Sequence, residues 1–128
     1  MEMRHSVVAI VPCNDLDASE AFYARLGLRR TPEDIASDQH AGYRILHDGK
    51  GASVHLAEAV EGWVVARQNP FGVYVYTESV DAFAEEFRNE IIEAVRRAED
   101  KPWGMYEFAL SDPNGTLVRV GWPSRLRA

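Results

Sequence analysis

The first half of the chain alternates short apolar runs with turn signals in an order that predicts strands around one helix. Residues 7–11 (VVAIV) form an apolar run that predicts a buried strand ending at Pro12. Asp15 is a helix N-cap residue, and apolar residues recur at helical spacing from there until Gly27. Residues 28–30 predict a short strand, and the polar stretch 31–41 predicts a loop.

A predicted hairpin closes this half, and the same pattern then begins again. The hairpin spans residues 43–56, with its turn at Gly49–Lys50. Residues 58–70 contain Gly62, Trp63 and Pro70 and predict a linker.

The second half repeats the order of the first. Residues 71–77 alternate as a strand does, and Ser79 begins an apolar stripe at helical spacing that predicts a helix to Ala98. Residues 101–104 (KPWG) break the chain before a closing hairpin that turns at Pro113–Asn114. The two hairpins lie about half the chain length apart, which indicates an internal duplication.

The duplication predicts an α+β fold made of two βαβββ modules in one chain. Each module forms a curled mixed sheet with its helix on the outer face, which leaves the other face free to form a cup. We expect a single domain over residues 1–128, with module one at about 1–60 and module two at about 70–124.

Charge and cysteine content exclude several classes of function. The net charge of −6 argues against a nucleic-acid surface, which needs a concentrated basic face. Apolar runs are too short for a membrane span or a signal peptide, so we expect a cytoplasmic protein without membrane contact. Cys13 is the single cysteine, which excludes an internal disulfide and a cysteine-rich metal cluster.

Two motifs in this order resemble those of the vicinal-oxygen-chelate superfamily, which includes glyoxalase I, extradiol dioxygenases and bleomycin resistance proteins. The first is the strand-to-helix run of residues 15–27 (DLDASEAFYARLG), and the second is the last-hairpin run of residues 106–115 (YEFALSDPNG). The resemblance covers nearly the whole chain. Pro12, and Trp103-Gly104 before Glu107-Phe108, are most similar to the bleomycin-resistance branch.

Enzymes of this superfamily hold a divalent metal at four positions that face the cup. By the resemblance, these positions fall at Val8, His55, Gly72 and Arg119. Only His55 among them is a metal ligand, and Arg119 would repel a cation. We therefore expect neither a metal nor another cofactor in the cup.

Strand alternation predicts which side chains line the cup. Val54 and Leu56 pair with Tyr43 and Ile45 across a two-residue turn, which places these four in the core and points Arg44, Leu46, Ser53 and His55 into the cup. In the second half, Val73, Val75, Val118 and Val120 suit the core. The predicted ligand-binding residues are Arg44, His55, Tyr74, Tyr76, Glu107 and Arg119, with Trp63 and Trp103 as aromatic lids.

The sequence thus predicts a non-enzymatic binding protein that sequesters a drug-like molecule or a metabolite. The resemblance implies a homodimer with ligand crevices at the subunit interface. Arg44 and Arg119 suit an anionic or neutral ligand better than a cationic drug. Two alternatives stay open: a metal-dependent lyase, isomerase or dioxygenase with non-standard ligands, and a partner-binding module with a vestigial cup.

Overall fold

Two mixed β-sheets with helices on one side form the architecture in the computed structural model, which describes residues 5–36 and 42–128. Neither sheet closes into a barrel. The α+β fold with two related modules is confirmed. The elements in chain order are β1 (Ile10–Cys13), α1 (Leu16–Ala24), α2 (Pro32–Ala36), β2 (Tyr43–His47), β3 (Ser53–Glu58), β4 (Gly72–Tyr76), α3 (Val80–Glu86), β5 (Glu99–Asp100), β6 (Met105–Ser111) and β7 (Leu117–Pro123).

The two sheets share one connectivity. The first has the order β1-β3-β2 and the second the order β4-β7-β6-β5. In each, the opening strand of the module runs parallel to the last strand, and the last hairpin is antiparallel. The strand predicted at residues 28–30 is reduced to one bridge between Arg29 and His47, so the first sheet has three strands.

The two hairpin turns repeat one geometry. Asp48 accepts hydrogen bonds from the backbone of Lys50 and Ala52, and Asp112 accepts the equivalent pair from Asn114 and Thr116. Each turn has a glycine at positive φ three residues after the aspartate, Gly51 in the first and Gly115 in the second. The predicted turn positions are confirmed, but each turn contains one residue more than predicted.

The first strand and the predicted loop differ from expectation. Val7 is 95% exposed, and the ladder with β3 begins only at Ile10. Pro12 lies inside β1, which tolerates it because β1 is an edge strand. Thr31 and Asp34 cap each other reciprocally at the start of α2, so a helix occupies part of the stretch predicted as loop. The rest of that stretch, residues 37–41, lies outside the described residues.

The second long helix is shorter than predicted. It begins after Ser79 as expected, but a 3₁₀ turn at Arg88–Glu90 follows it and the backbone is extended at Ile91. The Arg96 guanidinium donates to the carbonyl of Ile91 at 2.6 Å, and the Ile92 amide donates to the Ala109 carbonyl of β6. These bonds replace helical ones, and they let Ile91 and Ala98 remain buried without a continuous helix.

A single core joins the helices to one side of both sheets. Leu46, Val54 and Leu56 of the first sheet and Phe108, Leu110, Val118 and Val120 of the second are fully or almost fully buried in it. The Phe22 ring of α1 lies 5.6 Å from the Phe87 ring at the end of α3. None of the helices among the described residues has the length and apolarity needed to cross a membrane.

A buried polar network also joins the modules, and it connects the two motifs of the family resemblance. The Tyr23 hydroxyl donates to Asp112, and Asn114 bonds both the Ser19 hydroxyl and the Asn14 amide. Ser19, Asp112 and Asn114 are each at most 4% exposed. Buried polar groups need hydrogen-bond partners, and here the polar groups of each motif find theirs in the other motif.

Candidate functional site

Glu107 of β6 is the centre of a polar and aromatic cluster on the side of the second sheet away from the helices, the open face. The carboxylate is 2% exposed although no helix covers it. It accepts hydrogen bonds from the Tyr74 hydroxyl at 2.8 Å, the Trp103 indole at 3.0 Å and the Arg119 guanidinium at 3.1 Å. We call Tyr74, Tyr76, Trp103, Glu107 and Arg119 the open-face cluster.

Sheet register brings this cluster together. Tyr74 of β4 is paired with Arg119 of β7, while Gly121 separates Tyr76 from Glu107 in the next row. The prediction that these side chains share a face opposite Val73, Val75, Val118 and Val120 agrees with this register. Phe108 and Leu110 of β6 lie in the core, which leaves Glu107 on the open face.

Gly121 provides the space in which Tyr74 reaches Glu107. A Cβ at this glycine would lie 2.2 Å from the Tyr74 hydroxyl and 2.7 Å from Glu107 Cβ. The missing side chain therefore lets the phenol cross β7 to the carboxylate on β6. Burial of the Tyr74 phenol raises its pKa, and the hydrogen bond and charge of Glu107 raise it further, so the hydroxyl stays protonated and donates.

Trp103 reaches the cluster from the turn before β6. Gly104 follows it at positive φ, directly before β6, and the indole nitrogen reaches back to Glu107. Its ring is 57% exposed, and the Arg119 guanidinium lies 5.4 Å from the ring centroid. This is within the range of a cation–π contact.

The tyrosines add an exposed aromatic surface beside the charged pair. The Tyr74 and Tyr76 rings are 4.8 Å apart, and Tyr76 is 63% exposed. With Trp103, they border the exposed side of Arg119. Exposed aromatic rings around a few fixed polar groups are typical of sites that bind small molecules.

The open face of the first sheet carries a second pair. The Tyr43 hydroxyl and His55 Nδ1 are 2.6 Å apart, and the exposed side chains of Ile10 and Ile45 flank His55 in the ladder. His55 therefore faces away from the core, as predicted. Tyr43 and Ile45 lie on this face as well, so their predicted place in the core was wrong.

Arg44 and Leu46 lie on the opposite side from the one predicted. Leu46 is paired with Val54 and Arg44 with Leu56, so all four share the helix side. The Arg44 guanidinium bonds Asp17 and Glu20 of α1, at 2.8 Å each. The predicted pairing of β2 with β3 was wrong by one residue, because the turn between them has three residues instead of two. A one-residue shift moves every side chain of a strand to the opposite face. Arg44 is thus excluded from the open-face cluster.

Trp63 lies in the segment between the modules and is 75% exposed. Its backbone amide donates to the Val60 carbonyl. Its role as a lid stays a prediction.

The residues at the four family metal positions do not fit a divalent cation. Val8 and Gly72 offer no side-chain donor, and Arg119 is already paired with Glu107. Within residues 5–36 and 42–128, no three His, Cys, Asp or Glu side chains converge as a metal site. His55 is the one suitable ligand at these four positions.

Gly121 and Tyr43 were not identified from the sequence as residues of the open faces. A glycine inside a predicted strand signals close approach of another group, which is the role of Gly121. The sequence around Tyr43 has no comparable feature. The face on which Tyr43 lies depends on the register of the first hairpin, which was predicted wrongly.

Comparisons with known proteins agree with this architecture. The model of the glyoxalase/bleomycin resistance protein/dioxygenase superfamily matches residues 5–120. No curated protein matches the chain. Among solved structures, a bleomycin-binding protein complexed with bleomycin is similar with a TM-score of 0.72 at 25% identity, covering 93% of this chain and 98% of that one.

Two further structures share the fold. A bleomycin resistance determinant encoded on a transposon has a TM-score of 0.72 at 24% identity, covering 94% of this chain and 98% of its own. TioX from Micromonospora has a TM-score of 0.65 at 21% identity, covering 93% and 99%. With a family model that matches most of the chain, the protein belongs to the glyoxalase/bleomycin resistance protein/dioxygenase superfamily.

Proposed function

We propose that this protein binds a small molecule on the open face of its second sheet and sequesters it without chemical change. The observation that carries the proposal is the open-face cluster, in which a buried carboxylate holds three side chains in place. Rigid aromatic rings lose little entropy on binding, and fixed donors orient the ligand.

The contacts within the cluster support binding more than catalysis. Glu107 is 2% exposed and already accepts from Tyr74, Trp103 and Arg119, so it is poorly placed to abstract a proton from a substrate. The raised pKa of Tyr74 makes its phenolate rare at neutral pH, so Tyr74 is a poor base. The bleomycin complex of a similar protein provides a precedent for ligand binding on this fold.

The same proposal includes a homodimer of single-domain chains. Ile10 and Ile45 on the first open face are 60% and 45% exposed, and Tyr76 and Trp103 on the second are more than half exposed. Exposed apolar patches often mark interaction sites, and a second copy of the chain is the partner that a symmetric dimer supplies. A monomer at tens of micromolar in sedimentation equilibrium would oppose this part of the proposal. A cytoplasmic location belongs to the proposal as well.

His55 favours a second candidate, a metal-dependent enzyme with non-standard ligands. In the tautomer whose Nδ1–H donates to the Tyr43 oxygen, this bond orients the ring and leaves Nε2 for a metal, as outer-shell partners do in metal sites. Elemental analysis of protein purified without chelator distinguishes the candidates. Stoichiometric zinc, nickel, manganese or iron that is lost in His55→Ala would favour the enzyme.

A thermal-shift screen followed by calorimetry tests the proposed function. The panel contains bleomycin, related glycopeptides and small aromatic acids, and it is run on the wild type and on Trp103→Ala. We expect at least one compound to raise the melting temperature of the wild type by mass action and to do so less in the variant. Equal shifts in both proteins would place the ligand elsewhere.

A further inference from the structure

The open-face cluster contains one carboxylate, Glu107, and one guanidinium, Arg119, but they are not equally accessible to a ligand. Glu107 is almost completely buried and accepts from three donors, so its negative charge is directed into the protein. A ligand on this face therefore meets the side chains that surround Glu107 before the carboxylate itself.

Arg119 presents hydrogen-bond donors toward solvent. Its side chain is 38% exposed, and among the described residues its hydrogen bonding is limited to one bond from Nη1 to Glu107. In the described part of the chain, Arg44 Nε is the one buried side-chain nitrogen or oxygen that lacks a hydrogen-bond partner. The unbonded nitrogens of Arg119 are therefore not buried, and a ligand can reach them. A guanidinium with two free nitrogens matches the two oxygens of a carboxylate.

The other charged groups near the cluster form a separate group of two carboxylates around one lysine. Lys101 Nζ bonds Glu93 and lies 3.9 Å from Glu99, which is the residue paired with Glu107 on β5. These three charges form a group at the far edge of the sheet. Arg119 is consequently the charged group that lies among the exposed rings of Tyr74, Tyr76 and Trp103.

We propose that the open face selects flat aromatic molecules bearing one carboxylate, with Arg119 as the anion contact and Glu107 as an internal acceptor that the ligand does not touch. This inference rests on the proposed function and specifies the chemical class of its ligand. The rings of the ligand stack on Tyr76 and Trp103 while the carboxylate meets the free edge of Arg119. The class follows from charge complementarity combined with a planar aromatic surface.

Three probes of one shape and different charge test the inference: 1-naphthoate, 1-naphthamide and 1-naphthylmethylammonium. Isothermal titration calorimetry measures the Kd of each. Because a charge-assisted contact is lost in the other two probes, we expect naphthoate to bind at least about tenfold more tightly than either.

Arg119→Gln is the decisive variant, and Arg88→Gln is its matched control on the helix side, where Arg88 is 63% exposed. We expect Arg119→Gln to bind naphthoate no more than about threefold more tightly than naphthamide, whereas Arg88→Gln behaves as the wild type. Arg119→Lys, which keeps the positive charge beside Glu107, should retain part of the preference and serves if Arg119→Gln does not fold.

The outcomes separate this inference from the proposed function. Tighter binding of naphthylmethylammonium, or a naphthoate affinity that does not change in Arg119→Gln, overturns the assigned ligand class. The proposed function survives that result if Trp103→Ala still weakens the probe that binds. Absence of binding by all three probes counts against both.

Discussion

The Tyr23 hydroxyl of α1 donates a 2.8 Å hydrogen bond to Asp112 Oδ2, in the turn between β6 and β7. This bond joins the two sequence motifs that carry the family resemblance, although they lie at opposite ends of the chain. Both residues are buried on the helix side, away from the open-face cluster. The two motifs therefore hold the modules together through buried polar contacts.

Tyr23→Phe should destabilise the fold by about 2 kcal/mol, because it removes a buried hydrogen bond to a charged acceptor. Asp112 Oδ2 would keep the Asn114 amide at 3.2 Å as a partner, so the protein should still fold. Urea unfolding measures the change in the free energy of unfolding, with an unchanged m-value expected. Tyr76→Phe, at a 63% exposed ring, is the control and should change stability little.

Stability at alkaline pH should depend on the same hydroxyl. Burial raises the pKa of Tyr23, and the charge of Asp112 raises it further. An unfolded tyrosine ionises near pH 10, so above about this pH the unfolded chain loses a proton that the folded chain keeps. The stabilisation is complete below that pH and is lost as the pH rises. The free energy of unfolding should fall more steeply with pH in the wild type than in Tyr23→Phe, and parallel curves would contradict this assignment.

Gly121→Ala should disturb the open-face cluster. The new Cβ would lie 2.2 Å from the Tyr74 hydroxyl, 2.7 Å from Glu107 Cβ and 2.9 Å from the Tyr106 carbonyl. Overpacking of this kind costs about 1–3 kcal/mol. Tyr74→Phe removes the nearest atom, so the double variant should be less destabilised than the sum of the single ones. Strict additivity in urea unfolding would show that Tyr74 does not lie over Gly121.

The sequence predicted the faces of β4, β6 and β7 correctly because alternation and apolarity agree there. Val118 and Val120 alternate with Leu117 and Arg119. No charged residue of this strand is paired with a described carboxylate on the helix side, as Arg44 is in β2. The open-face residues Tyr74, Tyr76, Glu107 and Arg119 could therefore be grouped before the structure was known. Their hydrogen bonds could not, because these depend on the empty space above Gly121.

Assignment of β2 failed for a physical reason that strand patterns do not show. Arg44 looks like an outward residue, yet Asp17 and Glu20 of α1 neutralise it on the helix side. The turn has one extra residue because Asp48 accepts from two backbone amides across it. Similarly, the helix predicted to reach Ala98 ends early because Arg96 and β6 bond its backbone groups.

Trp103→Ala should weaken binding of a ligand on the open face roughly tenfold, because it removes a stacked ring worth about 1 kcal/mol or more. Trp103→Phe keeps a ring but loses the donor to Glu107, so its affinity should be intermediate. Calorimetry with the tightest compound from the screen gives the Kd values, and circular dichroism verifies folding. Trp63→Ala tests the other predicted lid, and an unchanged affinity there would remove Trp63 from the site.

Fluorine NMR of protein labelled with 5-fluorotryptophan tests the central claim most directly. The three tryptophans, Trp63, Trp103 and Trp122, give three resonances that single Trp→Phe substitutions assign. Trp122 packs against the core on the helix side and serves as an internal reference. On titration with 1-naphthoate, the Trp103 resonance should shift and saturate while that of Trp122 stays in place. Saturable binding that leaves Trp103 unchanged would contradict a ligand site on the open face.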